Sequence, residues 1–419
     1  MRQSQLFTHT RREAPKDEAA KNAKLLIRAG FIHKEMAGVY DFLPLGLRTL
    51  NKIIQIIREE MDAIGGQEVL LSALQEPGKW QASGRWSDEA MAIWFKTRLD
   101  RESELGLANT HEEPMTAMLA AQVQSYQDLP RAVYQFQTKF RNEPRAKSGL
   151  LRTREFLMKD LYSFGRSQTE LDEFYETVSA AYTRIFKRVG LGERTHLTFA
   201  SGGVFSKYSH EFQTLCEAGE DTIYLSAERG LAINLEVCTP EVLADLALVK
   251  DELVPHKAIE VGNIFKLGTR FSEALGLCFR DERGETRPVV MGSYGIGPAR
   301  VMATIAEILA DENGLVWPAS VAPFAVQLVS LFDPGGKVAA ASERFYREWS
   351  AAGASVLWDD RPAAAGEKFA DADLLGLPFR VVVSEKTLSQ DKVELRPRRG
   401  GAAELIDPNG LIARLADYV

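Results

Sequence analysis

Apolar positions at Leu47, Leu50, Ile53, Ile54, Ile57, Met61 and Ile64 recur every three or four residues, a spacing that lines one face of a helix over residues 47 to 64. Gly65-Gly66 stops it, since glycine accepts the left-handed backbone of a helix end. Residues 68 to 71 (Glu-Val-Leu-Leu) suit a short strand directly after. A second helix is expected from Ser167, with Glu170 as its capping-box partner and Phe174, Val178, Tyr182, Ile185 and Val189 turned inward. Between these helices, residues 133 to 137 alternate, 139 to 143 continue after a break, and 155 to 164 are rich in aromatic and apolar residues. Strands in a row without intervening helices predict an antiparallel sheet flanked by helices, an α+β domain.

Beyond Pro318 and Pro323 the pattern becomes strand (326 to 331), helix (338 to 351), strand (355 to 358), helix, and strand (380 to 383), an α/β unit. Two prolines within six residues mark a connector. The expected division is therefore 1–322 for the large domain and 323–419 for the small one, which suits a chain of 419 residues.

Composition excludes more than it identifies. With 45% apolar and 26% charged residues the chain is an ordinary globular protein, and no run is long and apolar enough to span a membrane. The first twenty residues lack the apolar core of a secretory signal, so a cytoplasmic protein without a membrane partner is expected. Cys216, Cys238 and Cys278 lie far apart, which argues against a disulfide framework or a thiolate metal site. The net charge of −7 gives no support to general nucleic-acid binding, and no DNA partner is expected. Residues 131 to 159 are the exception, with eight Lys or Arg against Glu143 and Glu155.

That basic stretch contains Phe140-Arg141-Asn142-Glu143 and Arg152-Thr153-Arg154-Glu155-Phe156. Attack of a carboxylate on the α-phosphate of a nucleotide brings two anions together, so fixed guanidinium groups are its main requirement. Further on, Gly292-Ser-Tyr-Gly295-Ile-Gly297-Pro-Ala-Arg300 opens a helical run from about residue 301 to 309. Its glycines allow a close approach to a ligand and Arg300 offers a phosphate contact; taken alone, the first piece is better read as a surface ion-pair ladder and the second as a plain strand-to-helix turn.

In order along the chain, a long helix into a strand, Phe-Arg-x-Glu, and Gly-x-Gly-x-x-Arg resemble the three motifs of class II aminoacyl-tRNA synthetases. The stretches Gly38-Val-Tyr-Asp-Phe-Leu-Pro-Leu-Gly46, Thr110-His-Glu-Glu113, 152–160, Ser209-His-Glu-Phe212 and 292–297 narrow the resemblance to prolyl-tRNA synthetases of the bacterial type. Asp359-Asp-Arg361, Lys368-Phe-Ala-Asp371 and Gly376-Leu-Pro378 resemble the anticodon-binding domain shared with the threonine, histidine and glycine enzymes.

This resemblance implies ATP and Mg2+ as cofactors, L-proline and tRNA(Pro) as substrates, and a homodimer. It implies Thr110 and Glu112 at the proline amine, Arg141 between the proline carboxylate and the α-phosphate, and Met158, Tyr162, Phe164, His210 and Phe212 around the pyrrolidine. ATP contacts are implied for Arg141, Glu143, Arg152, Thr153, Phe156, Lys266, Thr269, Gly295 and Arg300, with Arg141, Arg300 and Glu143 carrying the chemistry. Arg145 and Lys147 are implied at the tRNA acceptor end, and no protein-only metal site is expected.

The chain departs from the pattern at Ser72, where relatives carry proline, and at Asn263, Lys266, Arg270 and Phe271, where they carry His, Gln, Lys and Tyr. Residues 226–260 stand where many relatives hold an editing domain, and they are too few for one. Lys266 leaves a second reading open, a synthetase-like paralogue that activates another small amino acid or serves another carrier. A non-catalytic RNA-binding subunit is the third.

Overall fold

The computed structural model describes residues 1–99, 103–202, 208–226, 228, 230–331 and 336–416. They form two compact units: Ala37–Val39 with Ile54–Thr304, and Met1–Met36 with Tyr40–Ile53 and Ile305–Val419.

The first unit is built on a nine-stranded sheet, in the order Tyr208–Leu215, Thr195–Ser201, Leu231–Asn234, Asp221–Ser226, Val254–Gly268, Val290–Ile296, Glu155–Gly165, Arg131–Phe140 and Gln67–Glu68. Its central pairings are antiparallel; Gln67–Glu68 and Leu231–Asn234 add parallel pairings. The break expected between residues 137 and 139 is absent, and Arg131–Phe140 is one strand. Lys139 faces inward onto Asp160 at 2.8 Å. The strand expected at 68 to 71 is cut to Gln67–Glu68. Beyond Val69 the backbone is held instead by side chains: Gln135 Oε1 accepts from the Leu71 N–H, and Gln137 Nε2 donates to the Leu71 carbonyl.

Strand alternation gives this sheet two chemically different faces. The Gln168–Arg188 helix covers one; Ser167 caps it as expected, but the Glu170 carboxylate accepts from Arg166 and does not close the capping box. On that face Lys159 donates to Tyr182 Oη and to the Tyr294 carbonyl, Ser163 bonds Tyr294 Oη, and Phe212 packs on Tyr182 and Phe186. The opposite face carries Arg141, Lys139, Asp160, Met158, Phe156, Glu260 and Ser293, and holds the cleft described below.

Residues 226–260 form a small satellite of the sheet. The Leu231–Asn234 strand, the Pro240–Asp245 helix and the start of the Val254–Gly268 strand enclose Ile233, Leu243, Leu248 and Leu253.

The Pro44–Ala63 helix buries Leu50, Ile53, Ile54, Ile57 and Met61 as its stripe predicts, whereas Leu47 is 46% exposed. Gly65 follows at φ +84, the left-handed stop.

The second unit has a five-stranded sheet ordered Val356–Asp359, Val326–Ser330, Phe379–Val383, Val393–Pro397 and Glu404–Ile406. The first two pairings are parallel and the last two antiparallel. The antiparallel pair had no counterpart in the expected α/β series, because its short strands mix polar residues with Val393 and Leu395. The first residues of the chain join this sheet: Arg2 bridges in parallel to Trp358, and the Met1 ammonium donates to the Val356 carbonyl at 2.8 Å. The motif residues 359–378 are structural brackets here. Asp359 is fully buried and accepts from the Arg361 backbone N–H and twice from its guanidinium, which also reaches Asp371, while Lys368 donates to the Ser330 carbonyl. Gly376 sits at φ +69 with no space for a Cβ beside the Leu315 carbonyl.

Candidate active site

Arg141, Glu143, Arg152, Thr153, Phe156, Met158, Gly295 and Arg300 line one cavity on the open face of the sheet, together with Glu260 and Asn263. Arg141 leaves the end of its strand at an isolated bridge to Trp94 and lies 5.3 Å from the Phe156 ring centre. Burial lowers the Arg141 pKa, and the nearby charge of Arg300 lowers it further. Two guanidinium groups on one cavity, that of Arg300 still 32% exposed, form a site for a polyanion. Arg300 is aimed by its Nε on the Leu151 carbonyl (2.9 Å) and its Nη1 on the Glu260 carbonyl and carboxylate (3.0 and 3.2 Å). Arg152 spans Glu143 (3.1 Å) and Glu220 (2.7 Å), and Glu220 also accepts from Ser148. A strand alternation was expected to align Arg141 with Glu143; a tight turn, in which the Glu143 N–H donates to the Arg141 carbonyl, does so instead.

Next to this cavity is a corner built for an amine. Thr110 Oγ1 donates to Glu112 Oε2 at 2.6 Å, and Ser293 Oγ lies 3.4 Å from Glu112 Oε1. Behind it Tyr162, fully buried, donates to Asp160 at 3.0 Å and accepts from the His111 N–H. Lys139 Nζ contacts His111 Nδ1 at 2.7 Å. An ammonium there makes Nδ1 the acceptor, so Nε2 carries the proton and donates to the Ser72 carbonyl. Burial, then the charge of Lys139, lowers the His111 pKa to about 4, which keeps the ring neutral. Ser72, a departure in sequence, thus meets His111 through its backbone oxygen, while its hydroxyl donates to the Leu74 carbonyl at 3.0 Å.

Three of the expected pyrrolidine residues lie elsewhere. Phe164 is in the core with Met115, Leu119 and Val133. His210 and Phe212 occupy alternate positions on a strand whose register, His210 opposite Ile264 and Phe212 opposite Gly262, turns both toward the Gln168–Arg188 helix. His210 bonds Tyr175 Oη at 2.7 Å there. Parity also moves Lys266 to that face, where it pairs with Asp172 at 2.7 Å. Thr269 lies outside the cavity and donates to Glu273. Arg145 and Lys147 are exposed on the loop between Arg141 and Arg152.

The same parity brings in residues that sequence reading missed. Glu211, between His210 and Phe212, and Gln213, directly after them, face the cleft side with Asn263 and Glu260. Burial, and then the charge of Glu260, pushes the Glu211 carboxyl up to about 8. Arg85 reaches Glu112 and Glu113. The only signal for Glu211 and Gln213 was position on a strand of known register, which needs the fold.

Residues 94–309 match the family described as tRNA synthetase class II core domain (G, H, P, S and T), and residues 326–418 match the anticodon binding domain. The chain is a class II aminoacyl-tRNA synthetase. It is 38% identical to the proline–tRNA ligase of Methylobacterium sp. (strain 4-46) over 99% of both chains. With that of Geobacillus kaustophilus (strain HTA426) it shares 35% identity over 97% of this chain and 99% of the relative, in an alignment of 563 positions. It belongs to the proline–tRNA ligase family, in a short form without the large insertion. Its fold is that of the prolyl-tRNA synthetase of Cryptosporidium parvum, solved with halofuginone and AMPPNP (TM-score 0.79, 16% identity, 95% of this chain and 77% of that one). The Giardia lamblia enzyme, solved with prolyl-adenylate, is similar (TM-score 0.76, 19% identity, 94% and 78%).

Proposed function

We propose that this protein activates L-proline with ATP and transfers it to tRNA(Pro) through an enzyme-held prolyl-adenylate. One observation carries the reading: Arg141 and Arg300 face one cavity, and the Thr110–Glu112 corner adjoins it. In the first step a proline carboxylate oxygen attacks the α-phosphorus and pyrophosphate leaves. Arg141 neutralises charge where carboxylate and α-phosphate meet, and Arg300 does so toward the far phosphates. Glu143, Arg152 and Thr153 hold the nucleotide, Phe156 stacks on its adenine, and Gly295 lets it lie close to the strand. Glu112 fixes the ammonium of proline, with Met158 and Tyr162 beside the ring. In the second step a hydroxyl of the terminal tRNA adenosine attacks the acyl carbon and AMP leaves, the acceptor end resting on Arg145 and Lys147.

The neighbouring carboxylates Glu260 and Glu211 suit a divalent cation, whose charge would relieve their mutual repulsion; Mg2+ bound there would shield the phosphates. The C-terminal region, 323–419, reads the anticodon in this proposal. A homodimer is proposed as well, supported by the apolar surface at Leu70 and Leu74, 74% and 54% exposed. Among the described residues no helix is long and apolar enough to cross a membrane, and a cytoplasmic location is proposed.

Pairing with Asp172 on the far face removes the observation that favoured a paralogue, since Lys266 brings no new charge to the nucleotide. A non-catalytic subunit has no use for the clustered cations. ATP–pyrophosphate exchange by the purified protein tests the reading: it should depend on proline, and exchange supported by another amino acid but not by proline would overturn it.

A further inference from the structure

Glu112 and Glu113 are adjacent at the start of the Glu112–Ala120 helix, and both lie on one guanidinium. Arg85 Nη1 is 3.1 Å from Glu113 Oε1 and 3.4 Å from Glu112 Oε2. Arg85 is wedged between the rings of Trp80 and Phe271, 5.2 and 5.3 Å from their centres. Ser83 donates to Glu113 Oε1 at 2.7 Å, while Glu113 Oε2 is buried with no hydrogen-bond partner among the described residues. The Glu113 side chain is 0% exposed and that of Arg85 13%.

Two carboxylates against one guanidinium leave one negative charge uncompensated in a corner closed to water, where an unbalanced charge is costly. A proton on Glu113 cancels it, and so does a cation docked on Glu112. Other ionisable groups do not supply the balance at Glu113; Arg141 acts on Glu112 from the cleft side, where Glu260 and Glu143 share its charge. On the sheet side, Lys139 is already paired with Asp160, His111 is neutral, and Tyr162 is held by Asp160. On the packed Arg270–Leu275 helix, Arg270 and Glu273 are exposed, and Glu273 accepts from Thr269.

We propose that Arg85 and Glu113 are positioning residues for the substrate amine: Arg85 fixes Glu112 through Oε2 so that Oε1, on the Ser293 side, meets the ammonium, and Glu113 holds a proton until that ammonium docks, then releases it. The proposal rests on the proline-activation reading and adds how its amine site stays electrically neutral both empty and filled. Burial pushes the Glu113 carboxyl up to about 7, so the exchange of proton for ammonium falls in the neutral range.

The test measures proline-dependent pyrophosphate exchange between pH 6 and 9 for the wild type, Glu113→Gln, Arg85→Gln and Arg85→Lys, with KM for proline, KM for ATP and kcat taken separately. The wild-type KM for proline should fall as pH rises through about 7. In Glu113→Gln that fall should flatten and KM for proline at pH 8 should rise roughly tenfold, with KM for ATP unchanged within about twofold. Arg85→Gln should raise KM for proline more strongly, and Arg85→Lys should restore part of it. Titration of the wild-type protein with L-proline, in two buffers of different ionisation enthalpy, should show proton release near pH 7 and needs no variant to fold. Parallel pH profiles for wild type and Glu113→Gln, or no proton release, overturn the proposal while proline-dependent exchange stands. Absence of that exchange in the wild type overturns the underlying reading instead.

Discussion

Lys266 Nζ stands 2.7 Å from Asp172 Oδ1 and 4.8 Å from the ring centre of Tyr175, on the face of the sheet that the Gln168–Arg188 helix covers. By family pattern this position belongs to the ATP site; in this chain strand parity turns it away. Lys266→Met should therefore leave KM for ATP within about twofold of wild type and, as a half-exposed ion pair, cost no more than ~1 kcal/mol of stability. Pyrophosphate exchange across ATP concentrations checks it, and a tenfold rise in KM for ATP would put Lys266 back at the nucleotide.

Among the described residues the Arg141 side chain makes one hydrogen bond, a long one of 3.5 Å to the Asn109 carbonyl, and the charge of Arg300 acts on it. Such a cation contributes little to the fold and much to a transition state rich in negative charge. Arg141→Ala should reduce exchange at least ~100-fold, the scale of losing one preorganised charge-stabilising group. Its melting temperature should stay within about 4 °C of wild type. Retained exchange would remove Arg141 from the chemistry.

Much of this was legible in the residues. Periodicity found the Pro44–Ala63 and Gln168–Arg188 helices and most central strands, since each carries its own apolar pattern. The cations of the cleft were legible because their motif pairs them in sequence. What stayed hidden depended on register. His210 and Phe212 looked like pocket residues, yet the bulge between Phe212 and Gln213 and the pairing with Val254–Gly268 turn Glu211 and Gln213 to the cleft instead. Arg85 was hidden for a different reason: its partners Glu112 and Glu113 lie 27 and 28 positions away, beyond any local pattern.

Glu211 gives a pH dependence whose sign is fixed. Its carboxyl is raised from 4.5 to about 8 in the fold, so the folded protein binds this proton more tightly than the unfolded chain. Its contribution to stability is full below about 4.5 and is lost as pH rises through about 8. Glutamine does not titrate. Without ATP, the stability of Glu211→Gln relative to wild type should therefore increase steadily from pH 4.5 to 8, as read from urea unfolding midpoints. A difference that is flat or shrinks with pH would contradict the assignment.

Hydrolytic editing needs a pocket that accepts a mischarged acceptor end and excludes the correct one, and that takes a packed domain. Here the segment at the insertion position supplies one short strand and the six-residue Pro240–Asp245 helix around a core of Ile233, Leu243, Leu248 and Leu253. Its buried apolar side chains are consumed in covering the sheet beside Phe199 and Tyr224, and Leu235, Val249 and Val254 are left exposed on the surface. The purified protein should therefore deacylate alanyl-tRNA(Pro) no faster than the buffer control, over a range of enzyme concentrations. Alanine should still support slow pyrophosphate exchange, because a cavity shaped for the pyrrolidine excludes a smaller side chain only weakly, by roughly 10–200-fold. Deacylation that scales with enzyme concentration would show that this small satellite, or the synthetic cleft itself, does the work of an editing domain.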